Sequence, residues 1–434
     1  MTQVKKASII GGGMLGMSLA LDLIKKGYQV DLFEASANPG GLAEPWNLDG
    51  VRWDKFYHVI LLSDLNTRKL LKELGLSDQL IWGETQTGFY TNGKLYSMSN
   101  TLEFFQFPPL TLIDKFRLGL TILAASRIKN WKKLEKQNVA DWLKKWSGKR
   151  TFEKIWLPLL RAKLGELYKQ TSAAFIWATI QRMYAARRSG LKKEMFGYVE
   201  GGYQTIIHQL VAYLKNQGVR IHTAHRLKDL VSSNGKHKLV FENGMEYETP
   251  TVIFTTPSRV IPELWSDMPE KERRLHQAIQ YMGVSCTSML LKKSISPYYV
   301  TNITDGHIPF TGVIEMSALV DKKNFNGNAL VYLPKYVDPG DQILKKSDHT
   351  LHEEFKSRIL EMYPHIREDD ILTMKTAKAP MVFALNTLNY SNSLPPVKSE
   401  VEGVYYANTA FITNGTLNVN ETIGIAKKIA NQYF

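Results

Sequence analysis

Near its start the chain reads KKASIIGGGMLGMSLALDLIKKGYQVDLFE, and no other stretch narrows the fold so far. A short apolar run, ASII, leads into Gly11, Gly13 and Gly16, spaced G-x-G-x-x-G. Met14 to Lys26 has helical spacing and ends at Gly27, and YQVDLFE then reads as a second strand finishing at Glu34. Each glycine has a physical reason. Gly11 permits the tight turn off the strand, Gly13 lets a pyrophosphate approach the bare backbone, and Gly16 lets the helix pack close to the sheet. The phosphates would rest on free amide N–H groups at the positive end of the helix. Glu34 follows Gly16 by 18 residues. It can accept hydrogen bonds from ribose hydroxyls, and its charge disfavours a 2′-phosphate. These features predict an α/β fold built on a dinucleotide-binding parallel sheet.

A secretory leader is the competing reading of the same stretch, with Lys5-Lys6 as its basic start and Ala35-Ser36-Ala37 as its exit. Four glycines within six residues weaken any apolar helix there, and Asp22, Lys25, Lys26, Asp31 and Glu34 interrupt it. The leader is therefore rejected. Cys286 is the single cysteine of the 434 residues, so no disulfide forms within the chain, which suits a reducing compartment. No apolar stretch approaches the roughly 18 residues a spanning helix needs. The formal charge of +14 is concentrated: residues 127–150 hold nine Lys/Arg and two acids, with Trp131, Trp142 and Trp146 among them. Two readings stand open for this segment, a solvated helical face or a basic, tryptophan-bearing patch for peripheral contact with an anionic membrane. Without a nucleic-acid module, basicity alone does not argue for nucleic acid.

The rest of the chain bears on which dinucleotide is bound. Gly40-Gly41 supplies a second bare backbone patch just after Glu34. Asn66–Gly75 reads as a helix, and GFYTNGKLYSM as a hairpin through Asn92-Gly93. From about residue 110 to 190 four segments carry helical spacing and look inserted, because the glycine-marked α/β pattern resumes with GGYQTIIHQL. Three short strands joined at Asn234-Gly235 and Asn243-Gly244 then precede TVIFTTPS. A three-stranded meander between returning parallel strands points to FAD domains of the glutathione-reductase type. Strands and one helix near Asp348–Tyr363 follow, and the chain closes with a strand, a loop and a final helix that Asn418 can cap, Glu421 lying three residues on. Five segments result: an FAD-binding domain from 1–80, 196–265 and 401–434, and an α+β substrate domain with a helical insertion from 81–195 and 266–400.

These blocks, in this order, resemble the flavin-containing amine oxidoreductase superfamily, and protoporphyrinogen oxidase-like and carotenoid desaturase-like members most of all. The resemblance implies non-covalent FAD. Gly11, Gly12, Gly13, Met14, Leu15 and Gly16 would hold the pyrophosphate, and Glu34 with Ala35 the adenosine ribose. Gly40, Gly41 and Leu42 would line the diphosphate and ribityl region. Leu227 would contact adenine through its backbone, and Thr256 would lie beside the cofactor. Tyr57 and His58, in FYHV, would approach the flavin ring. Leu417, Asn418 and Val419 would bring a helix N-terminus to its pyrimidine edge, where reduced flavin carries negative charge. Asn408 stands where the family has Asp, and would bond a ribityl hydroxyl. Phe56 replaces a usual glycine, and no cysteine lies near the C-terminus for covalent attachment.

A flavin carries the redox chemistry itself, so no catalytic dyad is required. His58 is the candidate proton donor or acceptor, with a packing histidine as its alternative. The His222/His225 and His349/His352 pairs lack a third ligand, and no metal is expected. Arg182, Arg187 and Arg188 are either a basic helix end or an anion contact. The activity expected is two-electron oxidation of a C–N or C–C bond of a small organic substrate. The alternative is a non-redox enzyme resembling UDP-galactopyranose mutase, with those arginines on a sugar-nucleotide diphosphate. The protein is expected in the cytoplasm, with peripheral contact at the inner membrane face left open, and its oligomeric state is open too.

Overall fold

The computed structural model describes residues 5–185, 194–233 and 235–434. Five parallel strands form the first sheet, in the order Arg220–His222, Gln29–Phe33, Lys6–Ile10, Val252–Phe254 and Val404–Tyr406. Their buried faces explain the apolar runs that mark them, since parallel strands covered on both sides lose polar alternation. The helix Met14–Ile24 follows the first strand directly. It packs with Tyr203–Asn216 and the final helix Val419–Tyr433 around Leu19, Leu23, Leu210 and Ala426. The antiparallel meander, Leu227–Ser233, Lys236–Phe241 and Glu246–Thr249, lies where three strands were expected, although Asn234 of its first turn is outside the described residues.

The second unit is a seven-stranded mixed sheet running from Ile371–Ala384 through Tyr281–Leu291 and Ala329–Val337 to the hairpin Thr87–Thr91/Lys94–Ser97. The hairpin turns at Asn92 and Gly93, both with positive φ, the pairing its tight turn demands. Helices Leu112–Arg127, Val139–Ser147, Leu157–Leu164 and Ala173–Ala185 make up the inserted block and share one core with Phe383 and Met282 of the sheet. The segment boundaries read from sequence at 80/81 and 195/196 fall within a small third sheet. Strand Glu194–Val199 bonds both Ile60–Leu61 and Leu80–Thr85, stitching the two units together.

Sequence patterning missed the short helix Thr101–Gln106, which is set by the Asn100 cap accepting from Glu103 N. It also misplaced the tryptophans of the basic segment. Trp142 is core, at 3% exposure, Trp131 is half-buried against the same cluster, and Trp146 is the open one. No helix among the described residues is long and apolar enough to cross a membrane.

Candidate cofactor and active site

The glycine turn is crowded on one side and open on the other. A Cβ at Gly16 would lie 2.0 Å from the Gly11 carbonyl oxygen, and one at Gly12 would strike Glu34 Cβ at 2.9 Å. These two glycines exist to let helix, turn and second strand touch. Gly13 differs, for a Cβ there meets nothing nearer than Gly41 Cα at 3.9 Å. Gly40 N donates to Gly12 O at 2.9 Å, and Gly40 bridges to Gly13, so the two glycine patches lie side by side. The helix they open has no side-chain cap and no acid in its first turn. Its positive end is therefore left for an anion. Met14 and Leu15 are buried, so only their backbone can face that end.

Glu34 sits at the end of its strand as expected. Its Oε2 accepts from Gly12 N at 2.7 Å and its Oε1 from Ser36 N at 2.8 Å, fixing the carboxylate beside the turn and ahead of Ala35. Thr255 Oγ1 donates within reach of Ile10 O and Gly11 O, while Thr256 Oγ1 is buried with no hydrogen-bond partner among the described residues, as a side chain awaiting a ligand would be. Leu227 is 3% exposed and packs its side chain into the meander core, so its backbone is what remains for adenine. Asn408 is engaged within its own loop. It is 1% exposed, its Oδ1 accepts from Ala410 N at 3.0 Å and its Nδ2 donates to Ser258 Oγ at 3.1 Å. The amide helps to build the loop, and the second Nδ2 hydrogen is the side-chain donor left for a ribityl hydroxyl.

At the other end, Asn418 caps the final helix by accepting from Glu421 N at 3.0 Å. Val419 is buried in the core of the parallel domain, whereas Leu417 packs against the core that the helical insertion shares with the second sheet. Leu42 is half-buried next to Gly41. His58 Nδ1 is buried without a hydrogen bond and stands 3.7 Å from Asp54 Oδ2, and its ring lies 4.9 Å from Tyr203. Asp54 lies between two groups: with Oδ2 toward His58, its Oδ1 accepts from Tyr203 N at 3.0 Å, capping that helix from a distant segment, and burial pushes its carboxyl above the usual range.

Beside His58, the Tyr57 and Tyr336 hydroxyls meet at 2.7 Å, and burial pushes Tyr57 up to about 12. Both phenols are therefore neutral near pH 7. Lys163 Nζ lies 3.5 Å from the Tyr336 ring centre and 5.4 Å from that of Phe383. It makes no ion pair among the described residues, and burial pushes it down to about 7. Sequence reasoning missed this wall, because residues 57, 163, 336 and 383 meet only through tertiary packing. A groove of about 360 Å³ beside the Pro39 turn is lined by Arg52, His208 and Lys215 and by none of the residues named from sequence, so volume alone would mislead here.

Arg182 is also corrected. Its Nη2 donates to Asp64 Oδ2 at 3.1 Å, and Asp64 is buried, so this arginine is neither a free helix-end cation nor an open anion site. Arg187 and Arg188 lie outside the described residues. Cys286 is buried in the middle of Tyr281–Leu291, where its thiol is pushed up by desolvation. His222 bonds Asp31 at 2.9 Å, and no group of three or more metal-ligating side chains occurs among the described residues.

Comparison with known proteins agrees with this geometry. The family model described as flavin containing amine oxidoreductase matches residues 15–420. Zeta-carotene desaturase of Synechocystis sp. is 25% identical over 297 residues, 62% of this chain and 60% of that protein. Coproporphyrinogen III oxidase of Staphylococcus aureus is 24% identical over 293 residues, 59% and 61%. The chain thus matches about 60% of the length of these curated relatives. Among solved structures, a protein of Exiguobacterium sp. named for protoporphyrinogen oxidase superposes with TM-score 0.77 at 17% identity over 99% of both chains. Putrescine oxidase bound to putrescine gives 0.73 at 14% identity, covering 99% and 98%. At these identities the two structures establish the fold alone.

Proposed function

The chain belongs to the flavin containing amine oxidoreductase family, a family of FAD-dependent oxidoreductases, and from that premise we propose that it carries out two-electron oxidation of a predominantly apolar, neutral or anionic substrate, at a C–C or C–N bond, rather than of a free aliphatic amine. Lys163 carries this reading. Lys163 has no carboxylate partner among the described residues, so a protonated amine brought to the Tyr57–Tyr336 wall would disfavour the charged form of the lysine, whereas an anion would draw a proton onto it. A hydrocarbon chain would pack on the Tyr57, Tyr336 and Phe383 rings, and a carboxylate-bearing substrate would favour the protonated form of Lys163. Relatives named for a carotene and for coproporphyrinogen III fit a substrate of this description.

The start of the helix after Gly13 would hold the pyrophosphate, with the bare backbone of Gly11–Gly13 and Gly40–Gly41 lining it and the Gly12 N–H kept by Glu34, while Glu34 would hold the ribose and the Asn418-capped helix the pyrimidine edge of the ring. FAD, when bound, supplies the two-electron acceptor. The chain's own contribution is to orient the substrate, exclude water and move a proton at His58, whose Nδ1 stands 3.7 Å from Asp54 Oδ2. The sugar-nucleotide alternative loses support, since Arg182 is held by Asp64.

Anaerobic mixing of the FAD-loaded protein with polyenes, porphyrinogens, aliphatic amines and sugar nucleotides tests this. Bleaching of the flavin by either of the first two is expected, and bleaching by amines alone would overturn the assignment. His58→Gln should slow flavin reduction about 100-fold while leaving FAD affinity unchanged.

A further inference from the structure

The helix Leu112–Arg127 is apolar on both sides, yet only one side is covered. Its inner stripe, Leu118, Thr121 and Ala125 with the capping-box Asp114, is buried against the helical insertion. At 3.6 residues per turn, Leu112, Ile113, Phe116, Gly119 and Leu120 fall within one arc of about 120° on the opposite side. Leu112, Ile113 and Phe116 are exposed by 70, 73 and 66%. The neighbouring helix Thr101–Gln106 adds exposed Leu102 and Phe105, joined to the first through Lys115 Nζ, which donates to Phe105 O at 2.6 Å. Scattered apolar residues on a surface need no explanation, but a contiguous apolar helix face with no partner marks an interaction site.

What surrounds this face identifies the partner. All nine Lys and Arg of residues 127–150 are exposed. Of the two acids in that segment, Glu135 is buried and accepts from Ser391 N and Oγ, leaving Asp141 as the one exposed acid. This basic belt is fastened to the apolar helix. Arg150 Nε pairs with Asp114 Oδ2 at 3.3 Å, and Arg117 Nη2 donates to Lys145 O at 3.4 Å. Trp146 stands open between Lys144–Lys145 and Lys149.

We infer that helices Thr101–Gln106 and Leu112–Arg127 dock in the plane of an anionic lipid bilayer, burying Leu102, Phe105, Leu112, Ile113, Phe116 and Leu120 at the acyl boundary while the lysines of residues 127–150 reach the headgroups. Apolar insertion flanked by cations is the composition such a surface rewards. A second copy of the chain fits worse, because a two-fold contact through this face would set the basic belt against itself. Nucleic acid would satisfy the lysines and leave the leucines and phenylalanines facing phosphate. The inference is independent of the substrate assignment.

Flotation of the full-length, FAD-loaded protein tests it, using phosphatidylcholine vesicles with and without about one-third phosphatidylglycerol, at low and high salt. The protein should float with the anionic vesicles, bind the neutral ones less, and release partly at high salt. Ile113→Asp/Phe116→Asp alters only exposed side chains, and Lys144→Gln/Lys145→Gln only charge. Each double variant should lower the bound fraction about ten-fold with the flavin spectrum retained. Four results would overturn the inference: no flotation of the parent, flotation of both variants undiminished from that of the parent, a parent dimer that Ile113→Asp/Phe116→Asp makes monomeric without any vesicle binding, or tight binding of duplex DNA that those two substitutions abolish.

Discussion

Alanine at Gly13 puts a single methyl group into the proposed pyrophosphate cradle and almost nowhere else. The backbone there is extended (φ −71°, ψ 178°), which alanine adopts without strain. The new carbon would touch only Gly41 Cα, at 3.9 Å. Apoprotein stability should therefore change by no more than about 1 kcal/mol, the scale of an N-cap preference. The phosphate oxygens, however, must stand off from the backbone. Losing two charge-assisted hydrogen bonds at about 1.5–3 kcal/mol each amounts to about 3–6 kcal/mol, or roughly 10²- to 10⁴-fold in Kd. Gly16→Ala provides the contrast. Its methyl would lie 2.0 Å from Gly11 O, so the helix has to move, destabilising the apoprotein by at least about 1–3 kcal/mol. Fluorescence titration of each apoprotein with FAD, beside urea unfolding, separates the two effects. If Gly13→Ala binds FAD within about three-fold of the parent, the cofactor does not lie where the glycines indicate.

Three further outcomes follow from buried charge. Arg182→Met strands the buried Asp64 carboxylate and should cost about 3 kcal/mol in urea unfolding, with the Asp64→Asn/Arg182→Met double variant recovering part of the loss. His276 is fully buried with neither ring nitrogen bonded, and burial pushes it down to about 4. Between pH 4 and about 6.5 the unfolded chain binds a proton that the native state refuses, so stability falls as pH drops through that window, by roughly 3 kcal/mol in all, and His276→Phe should flatten the curve. Lys163, pushed down to about 7, works in the same direction on the alkaline side. Apoprotein stability should rise from about pH 7 toward the unfolded lysine value near 10.4, and Lys163→Met should abolish that rise in thermal unfolding.

The parts that could be read from sequence are those whose cause is local. Gly16 is glycine because a carbonyl five residues back occupies the space a Cβ would need, and Asn92-Gly93 marks a hairpin because both residues must take positive φ. Asn418 announces its helix through a bond three residues long. Legibility ends where the cause is a meeting of distant segments. The Asp54 bond to Tyr203 N spans 149 positions, and the Tyr57–Tyr336 pair spans 279. Arg182 was misread for the same reason: its helix-end context suggests a solvated cation, and only the fold brings Asp64 to it. The helix Leu112–Arg127 failed differently. Its spacing announces a helix, but an apolar run such as Leu118–Ala125 suits a core and an interface alike. Nothing in the pattern tells which half the rest of the chain will cover. That information lies in the inward packing of Leu118 and Ala125, and the stripe left over is a surface that folding alone does not satisfy. An apolar face kept open beside nine exposed cations is costly in solution unless something of matching chemistry covers it, so partner binding is the simplest reason for a chain to retain both.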